Sequence, residues 1–138
     1  MTHLYMLDTN MVSYITRGHS LAARKRMLKA GKDEVICIST ITEAEIRYGL
    51  AKRPNATALS KLMEAFMASV QILPWGRDEA ESYGTLRARL EAIGKPLDNM
   101  DMMIAAHAIA TDATLVTNDK AFAQAKEIRA IVNWATDI

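Results

Sequence analysis

Four acidic residues, far apart along the chain, stand where an apolar run ends or a helical pattern begins. They are Asp8 after HLYML, Glu43 in STITEAE, Asp101 in LDNMDMMIAAHA and Asp119 in LVTND. Hard divalent cations take oxygen ligands, and Mg²⁺ is commonly held by a few carboxylates together with water and substrate phosphate. Bringing three or four carboxylates to one place costs several kcal/mol in repulsion and desolvation unless cations offset the charge. If the four converge, the expectation is a Mg²⁺ site, with Mn²⁺ as its chemical neighbour, for water attack on a phosphodiester.

Each acid also has a plainer use. Asp8, Thr9 and Asn10 are all good helix N-caps, so Asp8 could begin a helix near Met11. Glu43 could complement the dipole in the first turn of a helix capped by Thr40 or Thr42. Glu45 lies about 200° further round that helix, so the two glutamates cannot face one site. Glu43 is nearer the strand end and is the candidate, while Glu45 is expected to be solvated or paired with Arg47 or Lys52. Asp98 and Asp101 are three apart and share a face; Asp98 is expected to cap and Asp101 to project. Asp119 is divided between a place in the site and capping the short segment 120–123.

Other chemistries find little support. His3, His19 and His107 have no metal-ligand spacing, and the single Cys37 rules out a zinc motif or an intrachain disulfide. His107 reads as a satisfied core histidine and Cys37, in VICI, as a small buried hydrophobe. Neither a phosphate-binding glycine loop nor a nucleophile-elbow serine occurs.

The elements that must position the acids alternate between short apolar runs and longer helical patterns. A chain of 138 residues fits one domain spanning 1–138. Strands are expected at Leu4–Leu7, Val35–Ser39, Val70–Leu73 and Leu115–Thr117, with an edge strand at Ala130–Trp134. Their unalternating character indicates burial on both faces, hence an α/β fold with a mostly parallel sheet of about five strands flanked by helices. Leu59, Leu62, Met63, Phe66 and Val70 form one helical stripe; Tyr83, Leu86, Leu90 and Ile93 form another, stopped by Gly94 and Pro96. A third helix covers 98–109, with Ala105, Ala106, Ala108 and Ala110 allowing close packing on the sheet. Ligands of open parallel sheets gather beyond the carboxyl ends of the strands, where Asp8, Thr117, Asn118 and Asp119 fall.

LDTN at 7–10, STITEAEIRYGLAK at 39–52, GKPLDNMDMMIAAHA at 94–108, LVTND at 115–119 and VNW at 132–134 together resemble the PIN-domain family. Within it, the chain is similar to the VapC toxins of bacterial toxin–antitoxin pairs. The informative patterns are LDTN, T-x-x-E-x-x-x-G and D-x-x-I-A-A-H-A in this order. The resemblance implies a PIN-like three-layer sandwich and a Mg²⁺- or Mn²⁺-dependent endoribonuclease whose acids map onto Asp8, Glu43, Asp101 and Asp119. It places Thr9, Asn10, Ser39, Thr117 and Asn118 among the polar positions that orient carboxylates or water. It further implies cleavage of RNA, commonly tRNA, leaving a 3′-hydroxyl and a 5′-phosphate. A homodimer and a VapB-like antitoxin covering the active site are implied as well.

The net charge of +1 does not mark a nucleic-acid binder, so attraction must be local. Arg17, His19, Arg24, Lys25, Arg26 and Lys29 are candidate RNA contacts, though a solvated helix face explains them equally. No apolar stretch suggests a signal peptide or membrane span, and the expected location is the cytoplasm. A haloacid-dehalogenase-like phosphatase needs a second aspartate where this chain has Asn10. A catalytically silent PIN-like RNA-binding or scaffold module is the remaining alternative.

Overall fold

The apolar runs pair side by side in the computed structural model, which describes residues 2–95 and 97–136. The strands are β1 (His3–Leu7), β2 (Glu34–Ser39), β3 (Gln71–Leu73), β4 (Thr114–Val116) and β5 (Ala130–Val132). They lie in the order β3-β2-β1-β4-β5 and every neighbouring pair is parallel. Six helices connect them: α1 (Thr9–Thr16), α2 (Leu21–Leu28), α3 (Thr40–Ala51), α4 (Thr57–Ser69), α5 (Arg77–Ala92) and α6 (Asn99–Thr111).

Adjacent strand residues point to opposite faces, and that period divides the core in two. Met6, Cys37 and Leu115 meet Leu86 and Leu90 of α5 and Met102 and Ile104 of α6. Leu7, Ile38 and Val116 meet Met11, Val12 and Ile15 of α1, Ile46 of α3 and Met63 and Phe66 of α4. Helices on both faces make three layers and explain why the strands read as unbroken apolar runs. Cys37 is buried, and burial pushes its thiol up to about 12, as suits packing rather than reactivity. Two stripe residues differ from expectation. Leu62 is 43% exposed because Met67 takes the inward position with Met63 and Phe66, and Ile93 is 52% exposed because it already caps α5. Gly94, at φ +70°, turns the chain out of that helix; Pro96 lies outside the described residues.

Parallel pairing sends every strand's carboxyl end to one edge. From β1 the chain crosses to β2 on one side, whereas β4 joins β1 on the other, so the β1/β4 boundary is the point where the winding reverses. A crevice forms there in open α/β sheets. Asp8 follows β1 and Thr117 follows β4 at that boundary. Helix α6 ends just before β4 begins, so its thirteen residues run back toward the same edge and carry Asp101 there in their first turn. Buried Ala105, Ala106 and Ala108 keep α6 close to its neighbours. Among the described residues, no helix is long and apolar enough to cross a membrane.

Candidate active site

Asp8 is 2% exposed and uses both carboxylate oxygens. Oδ1 accepts from the Met11 amide at 2.8 Å, capping α1, while Oδ2 accepts from the Thr117 hydroxyl at 2.5 Å. The capping and site readings of Asp8 are therefore compatible. Burial pushes its pKa up to about 6; hydrogen bonds from Thr117 and Met11 pull the other way, and repulsion from Asp119 and Glu45 adds to the rise. Asp101 is also raised to about 6, first by burial, then by Asp98, Asp8, Asp119 and Glu45. Asp98 caps α6, accepting from the Met100 amide at 3.2 Å. Asp119 joins the same field while its Oδ1 accepts from Ala121 N at 2.9 Å, capping the 3₁₀ turn Lys120–Gln124.

The structure sets the two glutamates of α3 apart. Glu43 accepts from Arg47 Nε at 3.1 Å, and Arg47 also reaches Glu64 at 2.7 Å, so Glu43 belongs to a surface ion chain tying α3 to α4. Glu45 is the glutamate whose charge is felt by Asp8 and Asp101. Its Oε1 accepts from Thr9 Oγ1 at 2.5 Å, and neither Arg47 nor Lys52 pairs with it: Lys52 lies over the Tyr48 ring at 4.7 Å. Helical side chains lean toward the helix N-terminus, so a residue in the second turn covers the ground beside the strand end. The motif itself held this signal, since T-x-x-E-x-x-x-G is spelled by Thr42, Glu45 and Gly49.

The polar neighbours divide. Thr9 and Thr117 touch the acids directly, and Thr117 also accepts from the Asp119 amide at 3.0 Å. Ser39 caps α3 through Ile41 N at 3.0 Å and sits 2.7 Å from His107 Nδ1, so it joins α3 to α6 rather than touching a carboxylate. His107 is buried as expected but only half satisfied, because its Nε2 has no partner among the described residues. Burial lowers its pKa, with Glu79 opposing. Asn118 donates to Tyr14 Oη at 3.0 Å and accepts from Asn133 at 2.6 Å; Asn10 is exposed.

The PIN-domain family model matches residues 5–128. Ribonuclease VapC2 of Rickettsia felis is 35% identical over 116 residues, covering 84% of this chain and 87% of that protein. The tRNA(fMet)-specific endonuclease VapC of Shigella flexneri is 32% identical, covering 83% of this chain and 86% of that protein. The chain belongs to the PIN-domain family. Its fold agrees: the crystal structure of VapBC2 from Rickettsia felis, bound to a DNA fragment from their promoter, superposes with a TM-score of 0.88 at 33% identity, over 95% of this chain and 98% of that one.

In this PIN domain the donors are hard oxygens, and burial, with repulsion from neighbouring acids, pushes the Asp8 and Asp101 carboxyls up to about 6. That chemistry fits a divalent cation. Among the described residues no three such side chains stand close enough to enclose an ion by themselves. An open set still suits Mg²⁺, which keeps several waters and takes one or two carboxylates with substrate phosphate. The basic candidates are less united. Arg26 is chelated by Glu34 at 3.1 and 2.9 Å and lies over the rings of Tyr5 and Trp134, at the amino end of the sheet away from the acids. Lys29 lines a depression at that same end. Arg24 and Lys25 are exposed on α2, and His19 stacks on Tyr14. Only Arg17 borders a groove that contains Glu45.

Proposed function

We propose that this PIN domain is an endoribonuclease that acts as the toxin of a toxin–antitoxin pair and cleaves RNA of the tRNA class. The observation that carries this reading is the gathering of Asp8, Glu45, Asp101 and Asp119 at the β1/β4 reversal, with Asp8 and Asp101 held near pKa 6. The VapC names of its relatives, one of them tRNA(fMet)-specific, support the substrate class. Complexes of VapB with VapC among the structural neighbours support an antitoxin partner.

Asp8, Glu45 and Asp101 would hold Mg²⁺ or Mn²⁺, with Asp119 beside them. When bound, the cation supplies charge neutralisation and a water of lowered pKa. The chain's own residues supply orientation. Thr117 and the Met11 amide fix the Asp8 carboxylate, Thr9 fixes Glu45, and the Asp119 cap holds the loop after β4 against the cluster. Water attack would leave a 3′-hydroxyl and a 5′-phosphate. The protein would act as a homodimer. An antitoxin arginine would suit the crowded acids, because a guanidinium can clamp a carboxylate with two parallel hydrogen bonds.

The test is induced expression of wild type and Asp8→Asn, reading growth arrest and the 5′ ends of cellular tRNA fragments. Arrest and 5′-phosphate fragments with the wild type, and neither with Asp8→Asn, are expected. Equal arrest by both would turn the assignment toward a silent RNA-binding module.

A further inference from the structure

Beside the carboxylates, α1, α3 and α4 enclose a groove of about 180 Å³ that shares Thr9 and Glu45 with the acidic site. Its floor is apolar, made by Val12, Ile46, Leu50, Leu59 and Met63. Arg17 and Arg53, both exposed, also line it, and neither guanidinium group has an ion-pair or hydrogen-bond partner among the described residues; their backbone amides donate to Ser13 and Leu50. We propose that this groove takes one unstacked nucleotide of the RNA, next to the scissile phosphate. The inference rests on the carboxylate cluster being the place of cleavage.

Gly49 gives the proposal an independent footing. It lies inside α3 and lines the groove, yet a Cβ built on it would meet nothing within 4 Å. Neither packing nor a left-handed backbone requires glycine there. Inside a helix glycine is worse than alanine by about 1 kcal/mol, so this position weakens α3 while deepening the groove. Space, an apolar floor and basic edges together match a nucleotide. The base would rest on methyl and thioether surfaces, and the flanking phosphates would answer Arg17 and Arg53. Sequence-specific RNA recognition works on splayed bases of this kind. A peptide with only apolar side chains would cover the floor but leave both guanidinium groups unanswered.

The experiment uses fluorescently labelled bulk tRNA in EDTA, with binding followed over a salt series, and cleavage in Mg²⁺ measured separately. Gly49→Ala should weaken RNA binding about tenfold with an unchanged salt slope, and should raise KM more than it lowers kcat. Its thermal stability should equal or exceed that of the wild type, which separates the defect from misfolding. Arg17→Ala and Arg53→Ala should each flatten the dependence of log K on log salt by about 0.7, the value for one phosphate contact on a single strand. Wild-type RNA affinity in all three variants overturns the proposal, and if antitoxin binding is what weakens instead, the groove is a peptide site. Failure of the carboxylate reading would show separately, as an Asp8→Asn protein that still cuts RNA.

Discussion

Burial pushes the Asp8 carboxyl up from its ordinary 3.8 to about 6, outweighing the hydrogen bonds it accepts from Thr117 and Met11. A carboxyl whose pKa is raised by folding stabilises the protein below its unfolded value and loses that contribution as pH rises through the folded one. The metal-free protein should therefore gain stability as pH falls from 7 toward 5, by about 1 kcal/mol from Asp8 alone. Melting in EDTA across that range checks this, and a steady fall in Tm on acidification would mean that Asp8 titrates normally. The acids themselves can be compared in pairs. Glu45→Gln and Asp101→Asn should lower cleavage about a hundredfold or more. Glu43→Gln and Asp98→Asn should stay close to wild type, since Glu43 is a surface partner of Arg47 and asparagine caps nearly as well as aspartate. Side-by-side tRNA cleavage assays decide it; a dead Glu43→Gln with an active Glu45→Gln would reverse the assignment. Caps were legible from residue types, as Asp98 shows. The preference for Glu45 over Glu43 is less legible, because the lean of helical side chains that brings Glu45 to Thr9 is a matter of packing, although Thr42, Glu45 and Gly49 spell the motif.

Elements were legible where burial imposes a pattern. All five strands were placed to within two residues at either end because helices cover both faces and leave only apolar positions. Helix α2 offered no such stripe: Ala23 is its one buried residue, and Leu21 and Leu28 are 65% and 78% exposed. What fixes α2 is Arg26, held by Glu34 across the loop and lying over Tyr5 and Trp134. No local reading reveals that Trp134 covers a residue of the second helix, so the sequence leaves Arg26 between an RNA contact and a solvated helix face. Arg26→Met should lower stability by about 1–2 kcal/mol and leave cleavage per folded molecule intact. Urea unfolding and kcat measured together test this; a lost kcat with unchanged stability would return Arg26 to RNA binding.

At the scale of the whole molecule, net charge and composition were silent about substrate, and the order of strands could not be read. Adjacency of β1 and β4 is a tertiary fact, and it alone brings the Asp8 end of the chain to Thr117 and Asp119. The same convergence should couple metal to folding. Divalent ions that bind only the folded state stabilise it by about 2.7 kcal/mol at a hundred times Kd, so millimolar Mg²⁺ or Mn²⁺ should raise Tm. EDTA should abolish cleavage, and activity surviving excess chelator would remove the cation from the reaction.

The hydrogen bond from Thr117 to Asp8 joins residues 109 apart in the chain. A ribosome adding about 5–20 residues per second therefore makes the first acid roughly 5–20 seconds before the residue that holds it. During that interval β1 lacks its β4 neighbour and the nascent protein has half a cradle. Until Thr117 has emerged, such a chain should be harmless to the tRNAs that are making it. Nascent chains stalled before Thr114 should leave the surrounding tRNA intact, whereas chains released at full length should cut it; cleavage by the stalled chains would show that the site forms without β4.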